Sequence, residues 1–179
     1  MTTCRALLLL LAVLLASPAA ATGVPRDPYE HFFSQTFGDL TEELATARNE
    51  GKRGILLFFE MDECPFCHRM KQTVLNQPEV QEWFRQHFLS FSIDVEGDLE
   101  IVDFAGNPTT QKLFAAQANR VRATPVFAFF DLEGRAVARY TGATSGVEEF
   151  MLLGRYVVDE VYLQMPFTRY KREQRAQSN

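Results

Sequence analysis

The feature that most restricts the fold of this chain is a cysteine pair placed just after a continuous apolar run. Ile55-Leu56-Leu57-Phe58-Phe59 is followed, across a short acidic link, by Cys64-Pro65-Phe66-Cys67. Because the apolar residues are continuous rather than alternating, the run predicts a central strand that is buried on both faces. The cysteines therefore lie where a buried strand passes into a helix, which is typical of a redox-active pair.

Residues 1–21 have the pattern of a secretory signal peptide. Arg5 supplies the positive charge, Ala6 to Ala16 is uninterrupted and apolar, and small residues follow, so we place the cleavage site after Ala21. The apolar stretch is shorter than the about 20 residues that span a bilayer. The sequence therefore predicts an exported, periplasmic protein, which would lose Cys4 with the leader.

The remaining chain is long enough for one domain with its own core, to which many of the 16 phenylalanines would contribute. The net charge of −5, without a basic stripe, argues against nucleic acid as a partner. Cys64 and Cys67 would be the only cysteines left, and a disulfide that closes so short a loop adds little stability. The pair is thus expected to serve through its reactivity, and we predict no cofactor, no metal and a monomer.

Hydrophobic periodicity predicts an α/β domain over residues 39–163, preceded by an N-terminal arm at 22–38 and followed by a polar, flexible tail at 164–179. The predicted strands are 55–60, 88–95, 125–130 and 135–141, with a short extra strand within 101–104. The predicted helices are 39–49, 64–75, one that begins at Pro78, 109–119 and 147–163. In helix 109–119, Leu113, Phe114 and Ala118 are expected to face the core.

The start of a helix is a favourable place for a reactive cysteine. There Cys64 would face unpaired backbone N–H groups and the positive end of the helix dipole, which stabilise a thiolate. Pro65 suits the first turn because it needs no amide partner. Cys67 follows nearly one turn later, within reach of Cys64. This spacing predicts that Cys64 attacks a partner disulfide and that Cys67 resolves the mixed disulfide.

A second motif, Ala123-Thr124-Pro125, precedes the apolar strand Val126–Phe130. The residues alone leave the isomer of the Thr124–Pro125 bond open. A cis bond would free backbone groups to hydrogen-bond an extended peptide, whereas a trans bond is much the commoner form.

The order of strand, Cys-Pro-Phe-Cys, helix, strand, helix, Thr-Pro, strand, hairpin and helix resembles the thioredoxin fold over roughly residues 39–163. The motif Asp-Glu-Cys-Pro-Phe-Cys-His-Arg-Met in an exported acidic domain is similar to thioredoxin-related proteins of the SoxW type. The resemblance implies a central mixed sheet of about four strands flanked by helices. It also implies thiol–disulfide oxidoreductase activity, with Cys64 as nucleophile, Cys67 as resolving thiol and Pro125 as a cis-proline.

The chain departs from thioredoxin at positions that matter for chemistry. Thioredoxin has a buried aspartate where this chain has Phe58, and Glu60, on the same strand face, is the nearest carboxylate to replace it. The alternative is that Glu60 is an exposed acid at the strand end. Pro65 and Phe66 stand between the cysteines, where residues tune the redox potential.

Charged residues near Cys64 in the sequence are expected to have opposing effects on the stability of its thiolate. His68 would hold a thiolate when protonated or shuttle a proton when neutral, unless it is only a solvated helix residue. Asp62 and Glu63 oppose the thiolate by like charge, and Arg122 would offset them if its loop lies close.

Three other readings of the cysteine motif remain open. Cys64 to His68 also spells Cys-x-x-Cys-His, the attachment pattern of c-type haem, although a small cytochrome would be largely helical. Two thiolates and His68 would alternatively suit a copper-binding chaperone. The third reading is an inert disulfide. We favour a reductant of exported protein disulfides, with a sulfur-oxidation carrier protein as partner and a membrane thiol carrier as electron donor, as the resemblance implies.

Overall fold

A four-stranded mixed sheet lies at the centre of the computed structural model, which describes residues 23–177. The expected signal peptide, 1–21, lies outside these residues. The strands are β1 (Gly54–Glu60), β2 (Phe88–Asp94), β3 (Glu100–Val102), β4 (Pro108–Thr110), β5 (Val126–Phe130) and β6 (Ala136–Thr141). The central sheet has the order β2-β1-β5-β6, with β1 parallel to β2 and antiparallel to β5, and β3 pairs with β4 separately. The predicted mixed sheet of about four strands is confirmed.

Helices cover both faces of this sheet. They are α1 (Pro28–His31), α2 (Leu40–Asn49), α3 (Pro65–Thr73), α4 (Pro78–His87), α5 (Gln111–Leu113), α6 (Val147–Val158) and α7 (Phe167–Gln177). A π-helical segment, Phe114–Ala118, continues α5, and a 3-10 turn, Val161–Leu163, follows α6. No helix between residues 23 and 177 is long and apolar enough to cross a bilayer.

The alternation of side chains along β1 explains its unbroken apolar sequence. Leu56 and Phe58 point to one face, where they join a core cluster with residues of α3, α4 and α6. Leu57 and Phe59 point to the other face and join a cluster with α2 and the π-helical segment. Every residue of β1 is buried, as expected for a central strand covered on both sides.

The predicted helix 109–119 is wrong at its start and in its core face. Residues 109 and 110 belong to β4, and the helix begins at Gln111. Phe114 is buried as expected, but Leu113 is 45% exposed and Ala118 is also exposed. The π-helical turn has a longer repeat than an α-helix, so it brings Ala115 to the core instead.

The C-terminal part of the chain is also more structured than the sequence predicted. Helix α6 ends at Val158, short of the expected Leu163, because Glu160 adopts a left-handed conformation with φ of 55°. The expected flexible tail contains α7, a helix of 11 residues. The polar composition of this segment predicted flexibility, but two of its aromatic side chains, Phe167 and Tyr170, pack against the core.

Candidate active site

Cys64 and Cys67 form a disulfide at the N-terminus of α3. Cys64 is the N-cap of the helix, Pro65 occupies the first turn, and the Cys67 N–H donates a hydrogen bond to Cys64 Sγ over 3.1 Å. Cys64 is 4% exposed, whereas Cys67 is fully buried. An attacking group therefore reaches Cys64 before Cys67, and the same amide would stabilise a Cys64 thiolate after reduction.

Phe66 presents an apolar ring to solvent between the two cysteines. Its side chain is 56% exposed, and the Arg69 guanidinium lies 5.5 Å from the ring centroid. Arg69 also donates a hydrogen bond to the Thr144 carbonyl oxygen over 3.3 Å. Arg69 thus stabilises the exposed Phe66 ring by a cation–π contact, and Thr144, in the loop after β6, holds Arg69 in position.

The Thr124–Pro125 peptide bond is cis, as the resemblance implied. Pro125 is buried and Thr124 is half-buried at the start of β5. The Pro125 carbonyl oxygen accepts a hydrogen bond of 2.8 Å from Gly142 N–H, just beyond the end of β6. This segment is therefore fixed to the hairpin that follows it.

Glu60 is a buried acid, 6% exposed, rather than an exposed acid at the strand end. Its carboxylate accepts hydrogen bonds from three different elements: the Tyr29 hydroxyl in α1, Lys71 Nζ in α3 and the Ser92 hydroxyl in β2. Burial raises the pKa of Tyr29 above its ordinary value of 10.0. Burial lowers the pKa of Lys71, but hydrogen bonds to Glu60 and Tyr29 outweigh it, so the pKa lies above 10.5. The cluster thus pairs the Lys71 ammonium group of α3 with the Glu60 carboxylate of β1.

Phe58, at the position where the resemblance expects an aspartate, is fully buried in an aromatic stack. Its ring centroid lies 5.7 Å from that of Phe33 and 4.9 Å from that of Phe127. Phe33 comes from the N-terminal segment, which therefore contributes to the core cluster that contains both cysteines. The carboxylate on this strand face is displaced by two residues, to Glu60.

His68 is exposed, and its Nε2–H donates a hydrogen bond to the Asp62 carbonyl oxygen over 2.7 Å. The ring therefore ties α3 to the link that precedes Cys64. Arg122 and the acidic side chains of Asp62 and Glu63 are likewise exposed.

Sequence reasoning missed two residues that support the site, Lys71 and Arg69. Both lie on α3, Arg69 two residues and Lys71 four residues after Cys67. The partner of Lys71 comes from β1, and that of Arg69 comes from the loop after β6. Nothing in the spacing of Glu60 and Lys71 along the sequence indicates their pairing. Only the packing of α3 against β1 brings them together.

The bond between the two sulfurs favours thiol–disulfide exchange over the alternative chemistries. Haem attachment would use both sulfurs as thioethers, and copper binding would use both as thiolates, whereas here they are joined to each other. Within residues 23–177, no three side chains of His, Cys, Asp or Glu converge as metal ligands would.

Comparison with known proteins points to one fold. A family model described as a thioredoxin-like domain matches residues 40–157. The chain is similar in structure to a thioredoxin from Thermus thermophilus, with 25% identity and a TM-score of 0.55 over 72% of this chain and 88% of that one. A thioredoxin-fold protein from Helicobacter pylori has 19% identity and a TM-score of 0.56, over 70% and 82% of the two chains. The DsbH oxidoreductase has 18% identity and a TM-score of 0.55, over 73% and 88%. Among curated proteins, no sequence matches significantly.

Proposed function

The chain belongs to the thioredoxin-like domain family, and we propose that it is a thiol–disulfide oxidoreductase that reduces disulfides in exported proteins. The observation that carries the proposal is the Cys64–Cys67 disulfide at the N-terminus of α3, with Cys64 Sγ accepting the Cys67 amide hydrogen. That amide and the helix terminus stabilise negative charge on Cys64, which a nucleophilic thiolate requires.

In the proposed reaction, the reduced protein transfers two electrons to its partner. The Cys64 thiolate attacks one sulfur of the partner disulfide, and the other partner sulfur leaves as a thiolate and takes up a proton. The Cys67 thiolate then attacks Cys64 Sγ and releases the second partner thiol. The partner is left as a dithiol and the protein as the Cys64–Cys67 disulfide.

The exposed surface next to Cys64 supports a protein substrate. Phe66 provides an apolar contact, and the segment at Thr124–Pro125 is proposed to hydrogen-bond the partner backbone near the reacting sulfur. Glu60 is proposed to move the proton that Cys67 gives up when it becomes a thiolate. Its burial on the strand face of Phe58, within hydrogen-bond reach of Lys71, supports this role.

We place this activity in the periplasm, on the basis of the leader-like residues 1–21. The proposed partner class is a carrier protein of sulfur-compound oxidation, and the proposed electron donor is a membrane thiol carrier. The protein is proposed to act as a monomer.

Trapping and titration test the proposal together. Cys67→Ser should accumulate a mixed disulfide through Cys64, whereas Cys64→Ser, the matched control, should capture none. The wild-type protein should reduce insulin with dithiothreitol as electron source. Titration against glutathione should give a potential well below about −120 mV, the value of a strong periplasmic oxidant. A potential near that value would reverse the proposed direction, and capture by Cys64→Ser alone would reverse the roles of the cysteines.

A further inference from the structure

The loop between β6 and α6, residues 142–146, contacts both halves of the active site; we term it the bridging loop. On one side, Gly142 N–H donates to the Pro125 carbonyl oxygen over 2.8 Å. On the other side, the Thr144 carbonyl oxygen accepts from Arg69, and the Thr144 hydroxyl contacts Met70 Sδ over 3.6 Å. Because Thr144 is only 2% exposed, its fit against α3 leaves little freedom to move.

Glu149, in the first turn of α6, fixes the bridging loop from behind. Its carboxylate accepts hydrogen bonds from the Ser145 backbone N–H, over 3.1 Å, and from the Ser145 hydroxyl. The Tyr140 hydroxyl donates to the same carboxylate over 3.1 Å. Glu149 is 6% exposed, so its negative charge needs a compensating cation to remain buried at low cost.

Helix α7 supplies that cation. Lys171 Nζ donates to Glu149 Oε1 over 2.7 Å, and Arg175 lies 3.9 Å from Oε2. The helix is held in place by Phe167, whose ring centroid lies 5.4 Å from that of Tyr156 and 5.8 Å from that of Tyr140. The C-terminal helix thus completes a connected set of contacts that runs from Lys171 through Glu149 and the bridging loop to Arg69.

We propose that Lys171 and Glu149 are positioning residues for the redox site, and that α7 thereby sets how well a protein substrate docks. The inference rests on the proposed function. Arg69 supports the exposed Phe66 ring, and Gly142 supports Pro125, so both surfaces proposed to meet a partner depend on the bridging loop. The sulfurs themselves are held by α3, so attack on a small disulfide does not depend on the loop.

Substitutions of Lys171, assayed with a protein disulfide and with a small disulfide, test whether α7 affects docking but not the sulfur chemistry. Lys171→Ala should raise the KM for insulin and lower kcat/KM about tenfold, since a small misplacement of a docking surface is costly. Its rate with bis(2-hydroxyethyl) disulfide should stay within about twofold of wild type, because that substrate needs no docking surface. Lys171→Arg keeps the ion pair and should retain the activity with insulin. Arg172→Ala is the matched control, since Arg172 is an exposed cation on the same helix.

The outcomes separate the two proposals. If Lys171→Ala reduced insulin as well as wild type does, or lost equal activity on both substrates, the positioning role would be overturned while the oxidoreductase function stood. If Arg172→Ala had the same effect as Lys171→Ala, only the general charge of α7 would matter, which also overturns it. A wild-type protein inactive on both substrates would refute the proposed function itself, and the positioning role with it.

Discussion

Lys71 donates a hydrogen bond of 2.5 Å to the buried carboxylate of Glu60, so the active-site helix is tied to the strand that precedes it. The Tyr29 hydroxyl donates to the other oxygen of the same carboxylate over 2.9 Å, and Lys71 Nζ donates to the Tyr29 oxygen over 2.7 Å. These contacts join the N-terminal segment, β1 and the active-site helix α3. The Lys71 side chain is 15% exposed and the Glu60 side chain is 8% exposed. Water therefore solvates both charges poorly, and each depends on the other for compensation.

Lys71→Met should lower the free energy of unfolding by about 3 kcal/mol, because it leaves the Glu60 carboxylate buried without its cation. The double variant Glu60→Gln/Lys71→Met should recover a large part of that loss, since no buried charge remains. Urea unfolding of the three proteins measures both effects. A double variant no more stable than the single one would show that the loss comes from packing of the lysine stem.

Alkaline pH should weaken the same cluster. The pKa values of both Lys71 and Tyr29 are raised by the fold, so their contribution to stability is full below about pH 10 and is lost as the pH rises through the folded-state pKa values. Wild-type unfolding free energy should therefore fall above pH 10 more steeply than that of Glu60→Gln/Lys71→Met. Parallel curves for the two proteins would contradict the assignment.

Ser90 and Ser92 lie two residues apart on β2, and we expect their replacement by alanine to change stability in opposite directions. The Ser90 hydroxyl is buried, and it is the one buried side-chain polar atom without a hydrogen-bond partner among the described residues. The Ser92 hydroxyl donates to Glu60. Ser90→Ala should be neutral or stabilise by up to about 1 kcal/mol, whereas Ser92→Ala should destabilise by about 1 kcal/mol. Equal losses in urea unfolding would mean that the Ser90 hydroxyl has a partner such as a buried water.

The parts of the fold that the sequence predicted are those carried by strong local patterns. The run Ile55–Phe59 indicates a strand covered on both faces because only such a strand lacks a polar side. The helix start at Cys64 follows from Pro65, which suits a first turn, and Asp39 caps α2 by accepting the N–H groups of Thr41 and Glu42.

The remainder depends on contacts between distant segments, which local patterns do not contain. Helix α7 is mostly polar, and it is held by Lys171, which meets the buried Glu149 22 residues earlier, and by Phe167 and Tyr170, which pack against the core. The burial of Glu60 likewise requires Tyr29 and Lys71 from two other helices. The π-helical turn after Leu113 changes the repeat itself, so counting by 3.6 residues fails there.

Gly154 lies in α6 where that helix crosses α4, and a methyl group there has no room. A Cβ would lie 2.4 Å from the Trp83 ring and 2.8 Å from that of Phe84, which is fully buried. Gly154→Ala should therefore destabilise by about 2 kcal/mol, although alanine is the better helix former by about 1 kcal/mol. Gly146→Ala is the control, since a Cβ there meets nothing within 4 Å. Thermal unfolding that showed Gly154→Ala to be the more stable protein would mean that α4 and α6 are more loosely packed.

Acid should release the C-terminal helix through Glu149. Burial raises the pKa of this carboxyl, but hydrogen bonds from Lys171 and Ser145 outweigh it and lower the pKa from 4.5 to about 2. A depressed pKa contributes stability that is fully present above the unfolded value and is lost as the pH falls through the folded value. The stability advantage of wild type over Glu149→Gln in urea unfolding should thus be constant above pH 5 and shrink between pH 4.5 and pH 2. Hydrogen exchange at pH 3 should show α7 amides opening before those of β1, because α7 is anchored by this carboxylate and β1 is anchored by the sheet. An advantage over Glu149→Gln that stayed unchanged down to pH 2 would mean that Phe167 and Tyr170 alone hold the helix.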